Sequence, residues 1–352
     1  MRKLLQKISR HPVYIKWVHW EFWPMQIVYF PVYLQHIWLS VKAGNPFFFL
    51  NTNPAIQEGL ILDNSKYNSL QLIPQDPLPK SILIAKGASA EAVQRAMQEA
   101  GIDFPVIVKP DRGFRGLHVG KIEDKKQLQR FVSNLTADYL LQEYIDLPLE
   151  IGVFYYRFPR CEKGEIPSVT LKEFLAVTGD GKSTLATLVS KKPRAILQRK
   201  RLAEKFKARW HIVIPEGEKV LLEGIGSHNR GTRFINANAL IDADLKEVFD
   251  NLNKRMEGFY YGRFDIRAAS VKDLKAGKNF KILEINGVGA EPTHIYDPGY
   301  KLFKAWKELL YLWRVTYTIA MQNQKRGSAL PGCSEGKKRW KKFLAAKRSL
   351  SV

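Results

Sequence analysis

Cysteine is nearly absent: Cys161 and Cys333 are the only two in 352 residues. They lie far apart, without a CxxC pair or a Cys/His cluster, which excludes a disulfide framework and a structural zinc site and fits a reducing, cytoplasmic compartment. Acidic residues are also scarce. Asp and Glu total 34 against 56 Lys and Arg, giving a net charge of +22. Such an excess calls for an acidic partner: nucleotide phosphates, nucleic acid or an anionic membrane face. Nucleic acid is disfavoured, because the basic residues are dispersed and no RRM, KH or zinc-knuckle pattern occurs. There is no clean membrane span, since WVHWEFWPMQIVYFPVYLQHIWLSV is interrupted at Gln26, Pro31, Gln35 and His36. A signal peptide is unsupported, because Val41-Lys42-Ala43 is not a small-x-small cleavage site. The segment TGDGKSTLATLV is not a phosphate-binding Walker loop either, because the glycine needed five residues before Gly181 is Ala176.

What remains is ordinary for a globular enzyme with one or two sizeable cores, at 45% hydrophobic and 26% charged residues. Both ends are unusual. Residues 1–45 follow a basic start with Trp17, Trp20, Phe22, Trp23, Tyr29, Phe30, Tyr33 and Trp38. Aromatic rings beside Lys and Arg suit a bilayer interface, and equally suit a helix packed on the protein's own core. At the other end, Tyr300 to Gln322 reads as a long aromatic helix. A linker from Gly327 to Gly336 then leads to KKRWKKFLAAKRSL, a basic amphipathic stretch of the kind that binds membrane surfaces or nucleic acid, or simply remains solvated.

Between the ends the chain alternates strands and helices. Residues 46–80 are punctuated by prolines, with one short helix around Ser65 to Leu72. Ser81 to Lys86 reads as a strand, Ser89 as the cap of a helix Ala90 to Ala100 that Gly101 stops, and Phe104 to Lys109 as the next strand. PDRGFRGLHVGKI follows. Its Gly113 and Gly116, with Arg112 and Arg115, make a basic loop whose backbone N–H groups can close over phosphates, though a surface turn is the commoner use of such a loop. Helix Lys125 to Asn134 leads to a strand, Tyr139 to Ile145, that carries Glu143, with Glu150 seven residues on. Antiparallel strands Ile151 to Phe158 and Ser168 to Val177, a turn and helix from Ser183, and a basic helix Pro193 to Arg209 come next. In LLEGIGSHNRGTRFI, the cluster Ser227, His228, Asn229, Arg230 and Arg233 suits a substrate carboxylate, although a lone His in such a loop is more often structural. Asp242 to Glu257 then reads as an amphipathic helix.

The stretch Gly262 to Thr293 gathers the chemistry. It reads as strands Tyr261 to Ala268 and Phe280 to Ile285 joined by a polar turn around Lys275 to Asn279. Asp265 sits in an apolar alternation, and Glu284 and Asn286 lie two apart, so they share a face. Carboxylate and amide oxygens without His or Cys suit a hard cation such as Mg²⁺, shared with substrate phosphates; an isolated pattern of this kind is more often a solvated hairpin.

The ordered set PVIVKP, QEYI with Glu150 after it, GRFDI and LEING resembles the ATP-grasp superfamily. The last block is similar to D-alanine:D-alanine ligase, and KEFLAVTGDGKST (Lys172 to Thr184) to cyanophycin synthetase. The resemblance spans roughly Lys66 to Thr293. It implies a mixed α/β (α+β) fold in which two α+β lobes sandwich ATP, flanked by an aromatic N-terminal segment (1–45), a Pro-rich lead-in (46–80) and a helical basic C-terminal extension (300–352), with the lid at 81–145 and the catalytic part at 146–299. It further implies that Lys109, with Lys66 as partner, and the Gly113/Gly116 loop hold phosphates. Gln142, Glu143, Tyr144 and Ile145 would form the adenine hinge, and Glu150 would take the ribose. Lys172, Arg263 and Arg230 would serve catalysis and substrate recognition, with Arg267 and the Gly287 to His294 loop near the acceptor. Asp265, Glu284 and Asn286 would hold Mg²⁺ or Mn²⁺. The expected reaction is ATP-dependent carboxylate–amine ligation through an acyl phosphate; a kinase that stops at phosphorylation and a non-catalytic nucleotide- or nucleic-acid-binding protein are the alternatives. Relatives usually carry a full α/β domain before the lid. Here the aromatic and Pro-rich segments replace it, which leaves the acid and the acceptor open. The aromatic ends and basic tail suggest a peripheral enzyme on the inner membrane face, acting on an envelope or lipid-linked acid.

Overall fold

The computed structural model describes residues 10–56, 65–113 and 118–349. The lobe expected as the lid is built on the antiparallel sheet β1 (Ser81–Ile84), β2 (Val106–Pro110), β3 (Gly120–Ile122) and β4 (Tyr139–Glu143), in the order β1-β4-β2-β3. Its two helices are each capped by a side chain, the first at the expected Ser89. Ser89 accepts a hydrogen bond from the Ala92 N–H at the start of helix Ala90–Glu99, and Asp124 accepts from the Gln127 N–H at the start of Lys125–Ser133. Val93, Met97, Leu128 and Val132 on those helices close over Val106, Val108 and Leu141 of the sheet.

The second lobe is a five-stranded antiparallel sheet of β5 (Leu149–Tyr156), β6 (Glu165–Glu173), β9 (Arg233–Asn236), β10 (Tyr261–Ala268) and β11 (Phe280–Asn286), ordered β11-β10-β5-β6-β9. Period-2 alternation gives it two unlike faces. One presents Val153, Tyr155, Phe264, Ile266, Ile282 and Ile285 to Leu245, Phe249 and Leu252 of helix Ala243–Lys254, forming the main core. The other face is divided along its length. Phe154, Tyr156 and Tyr261 bury against Leu39, Phe48, Phe49 and the long helix Leu302–Lys325. The strand registers place Glu150, Lys172, Arg263, Asp265, Arg267, Glu284 and Asn286 on the same face at the opposite end. A small sheet of β7 (Ala176–Thr178) and β8 (Lys219–Leu221) carries its own core with helices Leu185–Lys191 and Arg199–Lys205.

Several expected elements are reshaped. The basic helix expected over Pro193 to Arg209 is broken into Pro193–Ile196, Arg199–Lys205 and a 3₁₀ turn Lys207–Arg209, because Ala195, Leu202 and Trp210 must all reach one small core. The strand expected over Ser168 to Val177 is interrupted after Glu173, where the chain leaves the large sheet for the small one. The polar turn before β11 opens with a helix, Val271–Lys275, capped by Ser270. The final helix, Cys333–Ser349, starts inside the expected linker.

The N-terminal segment is part of the fold. Trp20 Nε1 donates to the Tyr300 carbonyl at 2.7 Å, and Trp306 Nε1 donates to that of Val28 at 2.8 Å. Helix Phe30–Ala43 buries Val32 and Leu39, Val32 against Leu309 and Leu39 against the Leu312 region of helix Leu302–Lys325. No helix among the described residues is long and apolar enough to cross a membrane. Asn53 fastens this layer to the sheet: its amide donates to the Tyr261 carbonyl at 2.8 Å and accepts the N–H groups of Tyr260 at 2.8 Å and Tyr261 at 3.0 Å. Asn53→Ala strands three buried backbone groups, so urea unfolding should show a loss of about 3 kcal/mol. An unchanged midpoint would mean that the segment is not anchored there.

Candidate active site

The charged half of the sheet face is a chain of paired ions. Asp265 is the centre. Arg263 grips it with two hydrogen bonds, Nε to Oδ1 at 3.1 Å and Nη2 to Oδ2 at 3.0 Å. Lys172 Nζ lies 3.1 Å from Asp265 Oδ1 and 3.0 Å from Glu150 Oε1, and Arg267 Nε lies 3.2 Å from Glu150 Oε2. The Asn286 amide donates to Asp265 Oδ2 at 3.0 Å. Burial opposes ionisation of Asp265, but Arg263 and Lys172 more than compensate and hold its carboxyl well below the usual carboxylate range. Lys172 is likewise penalised by burial, yet Asp265 and Glu150 raise it above the ordinary lysine value. Three cations thus share two carboxylates, with Glu284 beside Asp265 on the same face.

Register explains why these side chains meet. Arg263 pairs with Asn286, Asp265 with Glu284, and Arg267 with Glu150 across neighbouring strands. Between the Asp265–Glu284 and Ile266–Ile282 pairs a bulge inserts Leu283. The bulge lets Ile282 and Ile285, three apart, both enter the core while Glu284 and Asn286 keep to the site face. It also frees the Leu283 carbonyl, which accepts a hydrogen bond from Lys109 Nζ at 2.9 Å. Two glycines make room for close approaches. A Cβ on Gly262 would meet the Asn286 carbonyl oxygen at 2.4 Å, and one on Gly226 would meet Glu150 Oε1 at 1.9 Å, so the loop after β8 lies directly on that carboxylate.

The lid contributes Lys109, which is buried and also donates to Gln142 Oε1 at 3.3 Å. Burial depresses this lysine to about 8 against the pull of Glu284, with Lys66, Asp265 and Glu150 near enough to act on it too. Lys66 donates to the carbonyls of Pro110 at 3.1 Å and Gly113 at 2.9 Å, fastening the start of the Gly-rich loop. Gly116 lies outside the described residues. Glu143 binds Lys80 through both its backbone N–H and its carboxylate, each at 2.9 Å, leaving Tyr144 and Ile145 to begin the crossing into β5. Lys121 sits 4.3 Å over the Tyr144 ring. Arg230 stands in a second cluster, 3.8 Å from Glu223 and beside Arg201, and Arg233 reaches Glu173 at 3.5 Å.

Residues 63–151 match the family model of the RimK-like ATP-grasp domain, from the segment ahead of β1 to Glu150 itself. That stretch therefore carries part of an ATP-grasp domain. A comparison with curated proteins found no match. Among solved structures, the fold is similar to that of a bifunctional glutathione synthetase from Pasteurella multocida (15% identity, TM-score 0.39), covering 70% of this chain and 36% of that one. D-alanine–D-alanine ligase from Bacillus anthracis is 14% identical with a TM-score of 0.43, covering 80% of this chain and 71% of that one. The VanG D-Ala:D-Ser ligase from Enterococcus faecalis is also 14% identical, with a TM-score of 0.42 and coverage of 73% and 64% respectively. The chain therefore spans only 36% of the synthetase's length.

Three contributors escaped the sequence reading. Glu21, the only acid before Glu58, is buried and pairs with both Arg194 and His228 Nε2, the latter at 3.2 Å, so the His228 loop is anchored by the N-terminal segment. Its isolation among aromatics was the available signal. Glu291 passes its carbonyl to Arg263 Nη1 at 3.3 Å, and its carboxylate accepts from the Tyr296 hydroxyl at 2.9 Å. Tyr29 joins that corner; burial, then the Glu291 charge, push its hydroxyl well above the usual phenol range.

Asp265, Glu284 and Asn286 supply two carboxylates and an amide oxygen at adjoining register positions, which fits the oxygen-only donor set of a hard divalent cation sharing phosphate ligands. Lys109 gives the site a pH signature. A polyphosphate beside it favours the charged form, so binding takes up a proton near pH 8 and affinity falls as pH rises through that value, by at most about tenfold per unit. Calorimetry in buffers of different ionisation enthalpy should register that proton for the native chain and not for Lys109→Arg.

Proposed function

We propose that the chain is an ATP-dependent ligase that joins a carboxylate to an amine through an acyl phosphate. The observation that carries this reading is the convergence of Lys109, Lys172 and Arg263 with Asp265, Glu150 and Glu284 on one half of a sheet face, opposite the lid. Phosphoryl transfer asks a protein for positioned charge more than for covalent chemistry, and this cluster supplies it.

In the proposed reaction a substrate carboxylate oxygen attacks the γ-phosphorus of ATP, the bond to the β-phosphate oxygen breaks, and ADP leaves. An amine then attacks the acyl carbon, phosphate leaves, and the amine nitrogen gives up a proton. Lys109 and Lys66 hold phosphates from the lid side, together with the loop at Gly113. The backbone from Glu143 to Ile145, with Tyr144, receives adenine, and Gln142 fixes Lys109. Glu150 exchanges its pairing with Arg267 for the ribose hydroxyls. Lys172 and Arg263 face the transferred phosphoryl group, where they offset charge that builds up during transfer. Asp265, Glu284 and Asn286 would hold Mg²⁺, or Mn²⁺, which would supply charge neutralisation to the phosphates. Arg230, with the Glu291 to His294 corner, is assigned to the acid and the acceptor.

The test is ADP release from Mg-ATP with cell extract as substrate source and hydroxylamine as a trap for acyl phosphate. Native protein should release ADP in an extract-dependent manner and yield a hydroxamate. Glu284→Gln and Lys109→Ala should each lower the rate by about 10² or more, the scale on which a lost charge-stabilising group acts. Extract-dependent ADP release without hydroxamate would favour a kinase, and release indifferent to both substitutions would remove the site assignment.

A further inference from the structure

Helix Phe30–Ala43 is apolar on both sides, yet only one side is covered. Val32 and Leu39 pack inward. Phe30, Tyr33, Leu34, Ile37, Trp38 and Val41, spaced i, i+3, i+4, i+7, i+8 and i+11, form a continuous outward stripe, with exposures from 46% at Tyr33 to 78% at Val41. A helix that is apolar all round is normally buried, and soluble monomers seldom show so long a stripe. Helix Pro12–Val18, which packs on helix Pro193–Ile196 in the same N-terminal segment, exposes Trp17 at 70%.

Charge says what covers the stripe. Lys42 closes its C-terminal end, over the rings of Trp38 at 5.3 Å and Tyr317 at 5.4 Å. Immediately beyond, Asn45 donates to the Pro331 carbonyl at 2.8 Å and Gly336 lies against Phe47, which seats the start of helix Cys333–Ser349 beside the end of the stripe. That helix exposes Lys337, Lys338, Lys341 and Lys342 together with Trp340 and Leu344. A second copy docked stripe to stripe would bring two such basic helices together in a chain whose net charge is already +22. An anionic bilayer accepts both features at once, apolar side chains at the acyl boundary and lysines among the headgroups.

We propose that the outward stripe of helix Phe30–Ala43, flanked by Lys42 and the lysines of helix Cys333–Ser349, docks the protein on an anionic lipid bilayer. The segment leading into the stripe also packs on the acceptor corner, through Trp20 against Tyr296 and Tyr29 against Glu291. Docking would therefore fix how that corner faces the membrane.

Sedimentation of the full chain with vesicles tests this independently of ATP chemistry. The native protein should pellet with mixed phosphatidylglycerol–phosphatidylcholine vesicles, much less with pure phosphatidylcholine, and be released by salt. Ile37→Asp with Val41→Asp should cut the bound fraction at least about tenfold, and Lys338→Glu with Lys341→Glu should lower binding to the anionic vesicles selectively. All four residues are exposed, so circular dichroism should be unchanged. Native protein that ignores anionic vesicles, or an aspartate variant that binds as well as native, overturns the proposal. So does a dimer in sedimentation velocity that the aspartates dissociate while vesicle binding is absent, since the stripe would then be a self-association face.

Discussion

Asp265 is the side chain on which the site depends. Buried on β10, it must be paired to remain charged, and β10 itself, β6 and β11 supply Arg263, Lys172 and Asn286 at hydrogen-bond distance. Glu150 performs the same service for Lys172 and Arg267. Because each ion is satisfied by the next, the cluster survives on one half of a sheet face whose other half is packed with Phe154, Tyr156 and Tyr261. The same arrangement gathers Arg263, Lys172 and Arg267 with Asp265, Glu150 and Glu284 on one half of the face.

Much of this was legible in the sequence because strands advertise their faces. The spacing of Glu284 and Asn286, and the alternation around Asp265, follow from a period of two, and the register puts the three on one face of the sheet. The cap at Ser89 and the helix it begins were equally visible, because a hydroxyl before an apolar periodicity is a local signal; Asp242, read as the first residue of its helix, is in fact the cap. Long-range pairings were not. The cluster His228 to Arg233 looked like a free carboxylate site, but its partners, Glu21, Glu223 and Glu173, come from other segments and cannot be inferred from the loop itself. The bulge at Leu283 left only a faint mark, the three-residue spacing of Ile282 and Ile285 in a strand that otherwise alternates.

Of the two sequence-based readings of the aromatic N-terminus, packing on the protein's own core describes its inner side. Its inner side is core: Val28, Val32 and Leu39 are buried, and Asn53 ties the layer to β10. Its outer side is an apolar stripe beside a row of lysines. Period 3.6 separates the two sets cleanly, but composition alone shows only that aromatics are abundant. A segment of this kind occupies the place before the lid, and through Tyr29 and Trp20 it reaches the corner assigned to the acceptor. Substrate choice and surface attachment would then be properties of one element.

The central claim is that the Asp265 cluster is a Mg-nucleotide site. Calorimetric titration with a non-hydrolysable ATP analogue, with and without Mg²⁺, tests it most directly. The account predicts one site per chain, with affinity falling at least about tenfold when the metal is withheld. Absence of binding, or binding of equal strength without Mg²⁺, would contradict it.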